Sequence, residues 1–322
     1  TVLWSMNSKI ACNIGMFPHY TKYLLESFGK GYEQMAVYMG DITFVDISVP
    51  VAVQCYLGFM FGGMLRKIAC HIRPYENVPG STDRALESAA NILNDAFMTG
   101  RSKEDALTEA MGLFEAVSVT RTDRPKVAIF GDLYVRDNDI MNQGLIKTIE
   151  ANGGEVITTP YSELITIVAD RYIKKWFMQG LIGDAALAKV LSKVVTVLNR
   201  KYYRYFNRVL GGGDFRIVDN AEDVLAEFGL SIYHTGESME NIMKIFHIIE
   251  QHPDLSLFVQ TNPAYCCPSM VTEAMADRIE QITGVPIVTI EYDGTTASRN
   301  EDVIPYLKYP RKARGREFRK AM

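Results

Sequence analysis

Short apolar runs alternate with helical patterns from residue 125 onward, and this alternation restricts the fold more than any other feature. The runs PKVAIFGD, EVITTP, LSLFVQ and PIVTIE each have the length and composition of a strand, and LSIYH is a further candidate. Strands that alternate with helices favour a parallel sheet covered on both faces. The sequence therefore predicts an α/β domain over residues 125–322.

A long helical pattern over residues 161–212 interrupts this alternation. Glycines break the pattern between Gly180 and Gly183, and a run of three glycines ends it. The pattern predicts a helical hairpin that is inserted into the α/β domain and packs beside its sheet.

The first 124 residues hold fewer elements than a complete α/β domain. FPHYTKYLLESFG indicates a helix and MAVYM a strand, while residues 47–72 and 80–118 indicate further helices, with Ser81 and Thr82 near a capping position. We expect residues 1–124 to be a partial α/β and helical region, the second half of a domain that begins upstream.

Composition excludes several functional classes. A net charge of -4 predicts no general attraction to nucleic acid or to anionic lipid. No uninterrupted run of about 18 apolar residues occurs, so no membrane span is expected. The closest stretch, SVPVAVQCYLGFMFGGMLRKIAC, is predicted to be a buried helix. The chain has no Walker P-loop and no GxGxxG fingerprint, so it is not expected to hydrolyse ATP by the P-loop route.

The five cysteines lack the dense spacing of a secreted disulfide-rich domain, which favours a reducing cytoplasm. Cys55 and Cys70 lie within apolar helical patterns and are expected to be core residues. His71 and Arg73 are expected at the surface or at a helix end. The basic segment that begins at Arg311 is expected to be a solvated tail or, alternatively, an arm that docks an acidic partner.

Cys266 and Cys267 raise a more specific question, because they lie between a buried strand and a helix that starts near Pro268. Ligands of parallel α/β sheets bind outside the carboxyl ends of strands, where a helix N-terminus favours a thiolate. The pair is therefore a candidate metal ligand or nucleophile. Burial as two small core residues is the alternative, since a CC pair matches no standard metal spacing. Cys12 also precedes a helical pattern.

Polar loops follow the first and last predicted strands of the later domain. GDLYVRDN contains Arg136, Asp137 and Asn138, and DGTTASRNED contains Asp293. Because both loops follow strands of one parallel sheet, these four residues are candidate cofactor- or substrate-binding groups. Loops of any α/β protein are polar, so a purely structural role is the alternative.

Three segments, GDLYVRDND, GVPIVTIEYDGT and NPAYCCPSMVTEAM, resemble the C-terminal region of 2-hydroxyacyl-CoA dehydratase and benzoyl-CoA reductase subunits. The closest resemblance is to long homologues in which an activase ATPase domain precedes this region. The resemblance implies flavodoxin-like α/β domains that hold an iron-sulfur cluster, a 4Fe-4S cubane or a double cubane. It also implies an ATP-dependent activase as partner, a homo- or heterodimer, and anaerobic chemistry.

Carried over residue by residue, the resemblance implies that Cys266 is the cluster ligand of a P-x-x-C-x-P loop. Cys12 matches the ligand of a C-x-x-G loop, and Cys267 is a weaker match. Each cubane in the family takes three cysteines from one subunit. The resemblance therefore implies that a third ligand lies upstream of Thr1.

Three functions are consistent with these features. The first is an iron-sulfur electron-transfer or reductase component, in which Cys12 and Cys266 meet across a cleft between the two regions. The second is a dehydratase or reductase subunit that acts directly on a CoA thioester. The third is a non-enzymatic docking module that uses the basic tail and the helical hairpin.

Overall fold

The computed structural model describes residues 1–7, 13–41, 47–212, 221–231, 238–295 and 297–311. Within these ranges it contains two parallel sheets and many helices, which confirms the predicted α/β class. The strands are β1 (Val2–Asn7), β2 (Ala36–Asp41), β3 (Lys126–Gly131), β4 (Glu155–Ile157), β5 (Leu255–Pro263) and β6 (Ile287–Tyr292). The α-helices are α1 (Phe17–Phe28), α2 (Val49–Ile72), α3 (Ser81–Thr99), α4 (Lys103–Glu115), α5 (Leu133–Asp137), α6 (Leu145–Ala151), α7 (Tyr161–Met178), α8 (Ile182–Leu210), α9 (Ala221–Glu227), α10 (Ser238–Gln251), α11 (Cys267–Ala274), α12 (Ala276–Thr283) and α13 (Ile304–Lys308).

The smaller sheet pairs β1 with β2 in parallel, in register from Val2 opposite Ala36 to Asn7 opposite Asp41. The segment between the two strands contains α1, which packs on both of them. The sequence predicts α1 and β2 but not β1. A short run at the very start of the chain has no preceding turn signal to mark it as a strand. The expected upstream half of this region stays a prediction.

Helices α2, α3, α4 and α8 share one apolar core, which we call the helical core. Phe61 on α2 is 1% exposed and lies at its centre. The centroid of its ring lies 5.7 Å from that of Phe97 on α3, and 5.2 and 5.9 Å from those of Tyr202 and Phe206 on α8. Large aromatic side chains therefore join helices that are far apart in the chain.

The predicted hairpin over residues 161–212 is present as α7 and α8. Its break lies at Gly180, whose φ of +77° ends the helical hydrogen bonding of α7. The expectation that the hairpin packs beside the sheet holds only in part. α7 packs on α10 and α2, but α8 belongs to the helical core and contacts helices from the first 124 residues. The predicted boundary at residue 125 stays a prediction.

The larger sheet has four parallel strands in the order β4-β3-β5-β6. β3 pairs with β4 on one side and with β5 on the other, so the chain changes direction across the sheet between β3 and β5. In an open α/β sheet this position is the switch point, and ligands bind outside the carboxyl ends of the strands there.

Both faces of the larger sheet are covered, as the alternation of residues along β3 shows. Val127 and Ile129 belong to the core beneath α6 and α13, whereas Ala128 and Phe130 belong to the core beneath α10 and α12. All four side chains are 0% exposed. This two-sided burial explains why β3 is an almost continuous apolar run in the sequence.

Two helix boundaries differ from the sequence prediction. The helix expected over residues 269–284 is two helices, because Met275 leaves helical geometry at φ -100° and ψ 0°. Helix α3 is capped not by Ser81 or Thr82 but by the carboxylate of Glu76, which accepts from the amides of Gly80 and Thr82 at 2.6 and 2.7 Å. The candidate strand LSIYH and the tail after Arg311 fall largely outside the described ranges.

Among the described helices, Val49–Tyr75 alone is long and apolar enough to cross a membrane by length and composition. It coincides with the stretch that the sequence predicts to be a buried helix. Its second half is buried in the helical core, with Met60, Met64 and Ile68 no more than 1% exposed. Its first half is more open, as Phe59 is 47% exposed.

Candidate functional site

The candidate site is the carboxyl edge of the larger sheet at the switch point. Here the amide of Asp132, just after β3, donates to the carbonyl of Thr261 on β5 at 2.9 Å. Gly131 has φ +111°, and a Cβ at this position would lie 2.4 Å from the Thr261 carbonyl oxygen. Only glycine allows the two backbones to approach this closely. The glycine at position 131 therefore allows β3 and β5 to come this close at their carboxyl ends.

The cysteine pair lies at this edge, where β5 passes into α11. Cys266 is the residue that precedes α11, and its carbonyl accepts from the amides of Ser269 and Met270 at 3.1 and 3.0 Å. Its side chain is half-buried, while that of Cys267 is exposed. Tyr265, the preceding residue, has a left-handed φ of +64° and is 80% exposed. The chain thus holds a strained turn directly before the two thiols.

The other three cysteines are Cys70, Cys55 and Cys12. Cys70 is 1% exposed, and burial raises the pKa of its thiol to about 12, so it behaves as the predicted core residue. Cys55 is only half-buried on α2, so the prediction that it is a core residue is wrong. Cys12 lies outside the described residues, and its approach to Cys266 stays a prediction. In the part of the chain that the structure describes, no three His, Cys, Asp or Glu side chains gather as a metal site.

Arg136 and Asp137 end the short helix after β3. The Arg136 side chain is fully buried, and its Nε and Nη2 donate to the two carboxylate oxygens of Asp137 at 3.2 and 3.0 Å. Its third nitrogen, Nη1, is buried and has no hydrogen-bond partner within the described ranges. Asp137 itself is 34% exposed at its side chain. The predicted polar loop therefore contains a buried, incompletely paired cation.

The other two predicted loop residues shape turns. The side-chain oxygen of Asn138 accepts from the amides of Ile140 and Met141 at 3.0 and 3.2 Å. Asp293 accepts from the hydroxyl and the amide of Thr295 at 2.7 and 2.9 Å, and these hydrogen bonds lower the pKa of its carboxyl. Both contacts are typical of turns, while a direct role in ligand binding stays a prediction.

Hydrogen bonds join the loop after β3 to the loop after β6. The side-chain amide of Gln143 donates to the carbonyl of Thr295 at 2.9 Å. Asn300 accepts from the Tyr292 hydroxyl at 2.8 Å and donates to the carbonyls of Asn142 and Gln143 at 2.9 and 3.1 Å. Because β3 and β6 flank β5, the loops on both sides of the cysteine-bearing strand are fastened to each other.

Polar side chains on β5 are part of the site but are missed by the sequence prediction. Gln260 and Asn262 are 0% exposed, and the oxygen of Asn262 accepts from Ser269 Oγ and from Gln260 Nε2. Gln260 Oε1 and Asn262 Nδ2 have no partner in the described structure. The sequence signal for these residues is the polar end of the run LSLFVQTNP. Polar side chains at the carboxyl end of a buried strand often face a ligand.

Charged side chains at the opposite, amino edge of the sheet form a satisfied network. Glu155 is 3% exposed and accepts from His71 Nδ1 at 2.9 Å and from the Tyr75 hydroxyl at 2.7 Å. Arg73 donates to both carboxylate oxygens of Glu150. His71 and Arg73 are therefore not simply surface or cap residues. Burial opposes ionisation of Glu155, but the hydrogen bonds from His71 and Tyr75 outweigh it and lower the pKa of this carboxyl.

His252, at the same amino edge, makes stability depend on pH. Burial, together with repulsion from Lys67 and Lys126, lowers the pKa of His252 to about 4, although Asp254 and Glu155 oppose this shift. The unfolded chain therefore takes up a proton near the ordinary value of 6.5, before the folded chain does. We expect stability to fall as the pH drops from about 6.5 to about 4, by at most about 1.4 kcal/mol per pH unit.

Urea unfolding at a series of pH values tests this expectation. In His252→Gln the loss of stability between about pH 6.5 and pH 4.5 should be smaller than in the unsubstituted chain. Losses at lower pH, where Glu155 becomes protonated, should remain. Identical pH profiles for the two proteins would contradict the assignment to His252.

Comparison of the chain with protein-family models, with curated proteins and with solved structures finds no match.

Proposed function

We propose that this chain is an iron-sulfur electron-transfer or reductase component that works with an ATP-dependent activase. The observation that carries the proposal is the position of Cys266, half-buried at the N-terminus of α11 beside the switch point. A helix N-terminus stabilises a thiolate, and thiolates are the ligands of iron-sulfur clusters.

The donors at this edge fit such a cluster in kind, since Cys266 and Cys267 both offer sulfur. They do not complete it in number, because the described residues bring no third metal-ligating side chain to the pair. Cys12, outside the described residues, is the further ligand that we propose. When bound, the cluster would supply one-electron transfer at low potential.

The residues around the pair have roles that do not depend on the cluster. Ser269 Oγ donates to Asn262, and Gln260 Nε2 donates to the carbonyl of Ser269 at 2.9 Å, so β5 and the first turn of α11 are held together. Pro268 is buried in that turn. The loop can therefore present Cys266 in a fixed position, as a ligand with a defined environment requires.

We also propose that the four-stranded region is flavodoxin-like. Numbered by chain order within the region, its strands have the order 2-1-3-4, which is the start of the flavodoxin order. A homo- or heterodimer belongs to the same proposal, as the resemblance implies it, and a cytoplasmic location belongs to it because the cysteines lack the spacing of a secreted disulfide-rich domain. Direct action on a small acyl-CoA substrate is the alternative that the resemblance also implies.

Iron and acid-labile sulfide analysis of the natural protein, prepared without oxygen, tests the cluster. Cys266→Ser and Cys12→Ser are each expected to lose most of the bound iron, because loss of a ligand destabilises a cluster. Cys55→Ser, which changes a half-buried thiol on α2, should keep it. A natural protein without iron and sulfide, or equal iron in all variants, would contradict the proposal.

A further inference from the structure

Arg136 is a buried cation whose hydrogen-bonding capacity is only partly used. Its side chain is 0% exposed, and two of its nitrogens face a single carboxylate, that of Asp137, which is itself 34% exposed. Nη1 lies buried without a partner in the described part of the chain. A buried charge is costly unless it is paired and hydrogen-bonded, so an unfilled donor on a buried guanidinium calls for a ligand or water.

A second unfilled donor lies on the neighbouring strand. Asn262 Nδ2 is buried without a partner, and the contacts of its oxygen with Gln260 and Ser269 fix the orientation of the amide. Backbone hydrogen bonds join the two segments that carry these donors. The Arg136 amide donates to the carbonyl of Asp132, whose own amide donates to Thr261, the residue before Asn262.

The backbone that carries Arg136 is held in place from both sides. Asp132 Oδ1 accepts from the Val135 amide at 2.8 Å, which caps the short helix. Asn142 Nδ2 donates to the carbonyls of Val135 and Arg136, both at 3.0 Å. Asn300 holds Asn142 in turn. A donor group fixed in this way loses little entropy when it binds.

We propose that the switch point between β3 and β5 binds an oxyanion, the carboxylate or phosphate group of a small molecule, that accepts from Arg136 Nη1 and displaces the Asp137 carboxylate from Nη2. A planar guanidinium binds either group through two parallel hydrogen bonds. The half-exposed position of Asp137 is the route by which the anion reaches the buried cation. Binding needs no iron, so the experiment below can succeed or fail independently of the cluster.

Thermal unfolding of the iron-free chain in sodium phosphate, with sodium chloride at matched ionic strength as reference, tests this site. A ligand that binds only the folded state raises the melting temperature in a saturable manner. We expect that rise for the unsubstituted chain and its loss in Arg136→Gln. A parallel titration with sodium acetate shows whether a planar carboxylate or a tetrahedral phosphate is preferred.

Asp137→Asn supplies a variant with the opposite expected sign. It removes the competing carboxylate, and since an ion pair with one partly exposed member contributes about 0.2–1 kcal/mol, half-saturation should occur at about 1.4- to fivefold lower anion concentration. Arg66→Gln is the matched control, because Arg66 pairs with Asp139 of the same loop but is 31% exposed. This control should respond as the unsubstituted chain does.

The proposal would be overturned by an unsubstituted chain that responds equally to either anion and to chloride. It would also be overturned by an Arg136→Gln protein that keeps the anion response. If Arg136→Gln does not fold, the Asp137→Asn titration decides alone, and a half-saturation equal to that of the unsubstituted chain rejects the site.

Discussion

Replacement of Gly131 by alanine is expected to lower the free energy of unfolding by about 3 kcal/mol or more. The φ of +111° at this position is one that residues with a Cβ rarely adopt. The new Cβ would also lie 2.4 Å from the carbonyl oxygen and 2.9 Å from the nitrogen of Thr261. Backbone atoms of a central strand cannot move aside cheaply, so β3 and β5 would have to separate at the switch point.

Urea unfolding of Gly131→Ala and Gly112→Ala checks this expectation. Gly112 lies on the exposed side of α4, and nothing lies within 4 Å of a Cβ placed there. Its replacement should stabilise the protein by about 0.5–1 kcal/mol, since alanine is the better helix former. If both variants had the stability of the unsubstituted chain, the close approach of β3 and β5 at Gly131 would be wrong.

Removal of the Phe61 ring is expected to cost about 3–5 kcal/mol, because Phe61→Ala leaves a cavity between three helices. The ring is 1% exposed and contacts aromatic rings on α3 and α8. The loss should appear as a lower urea midpoint with little change in its denaturant dependence.

Phe59 is the matched control, because it lies two residues before Phe61 on the same helix and is 47% exposed. The centroid of its ring lies 5.3 Å from that of Tyr161, so Phe59→Ala should lower the free energy of unfolding by about 1 kcal/mol. Similar losses for the two variants would show that the helical core is not organised around Phe61.

Much of the fold follows from local sequence. β3 is recognisable because a strand buried on both faces is apolar at nearly every position. The break of the hairpin at Gly180 is recognisable because glycine readily takes positive φ. The packing of α8 on α2 was not predictable in the same way. It depends on aromatic contacts between residues distant in the chain, and local periodicity shows that a helix has an apolar face but not which partner covers it.

The candidate site was predictable in position more than in detail. The rule that ligands bind at carboxyl ends of parallel strands pointed to Cys266 and to the loop of Arg136. The burial of Arg136 was not predicted, because an arginine in a polar loop is ordinarily exposed. Gln260 and Asn262 were missed because the predicted strand LSLFVQ ends at Gln260, whereas β5 continues to Pro263 and brings Asn262 into the sheet. The amino-edge contacts of His71 and Arg73 were missed because Glu150 and Glu155 lie far along the chain.

The shared helical core has a consequence for synthesis of the protein. Phe61 leaves the ribosome long before Tyr202 and Phe206, the residues on α8 that complete its surroundings. Until then the apolar surface of α2, α3 and α4 that α8 covers in the folded protein stays exposed. Such non-local closure slows folding and prolongs the aggregation-prone interval, so the nascent chain should depend on chaperone binding until α8 has emerged.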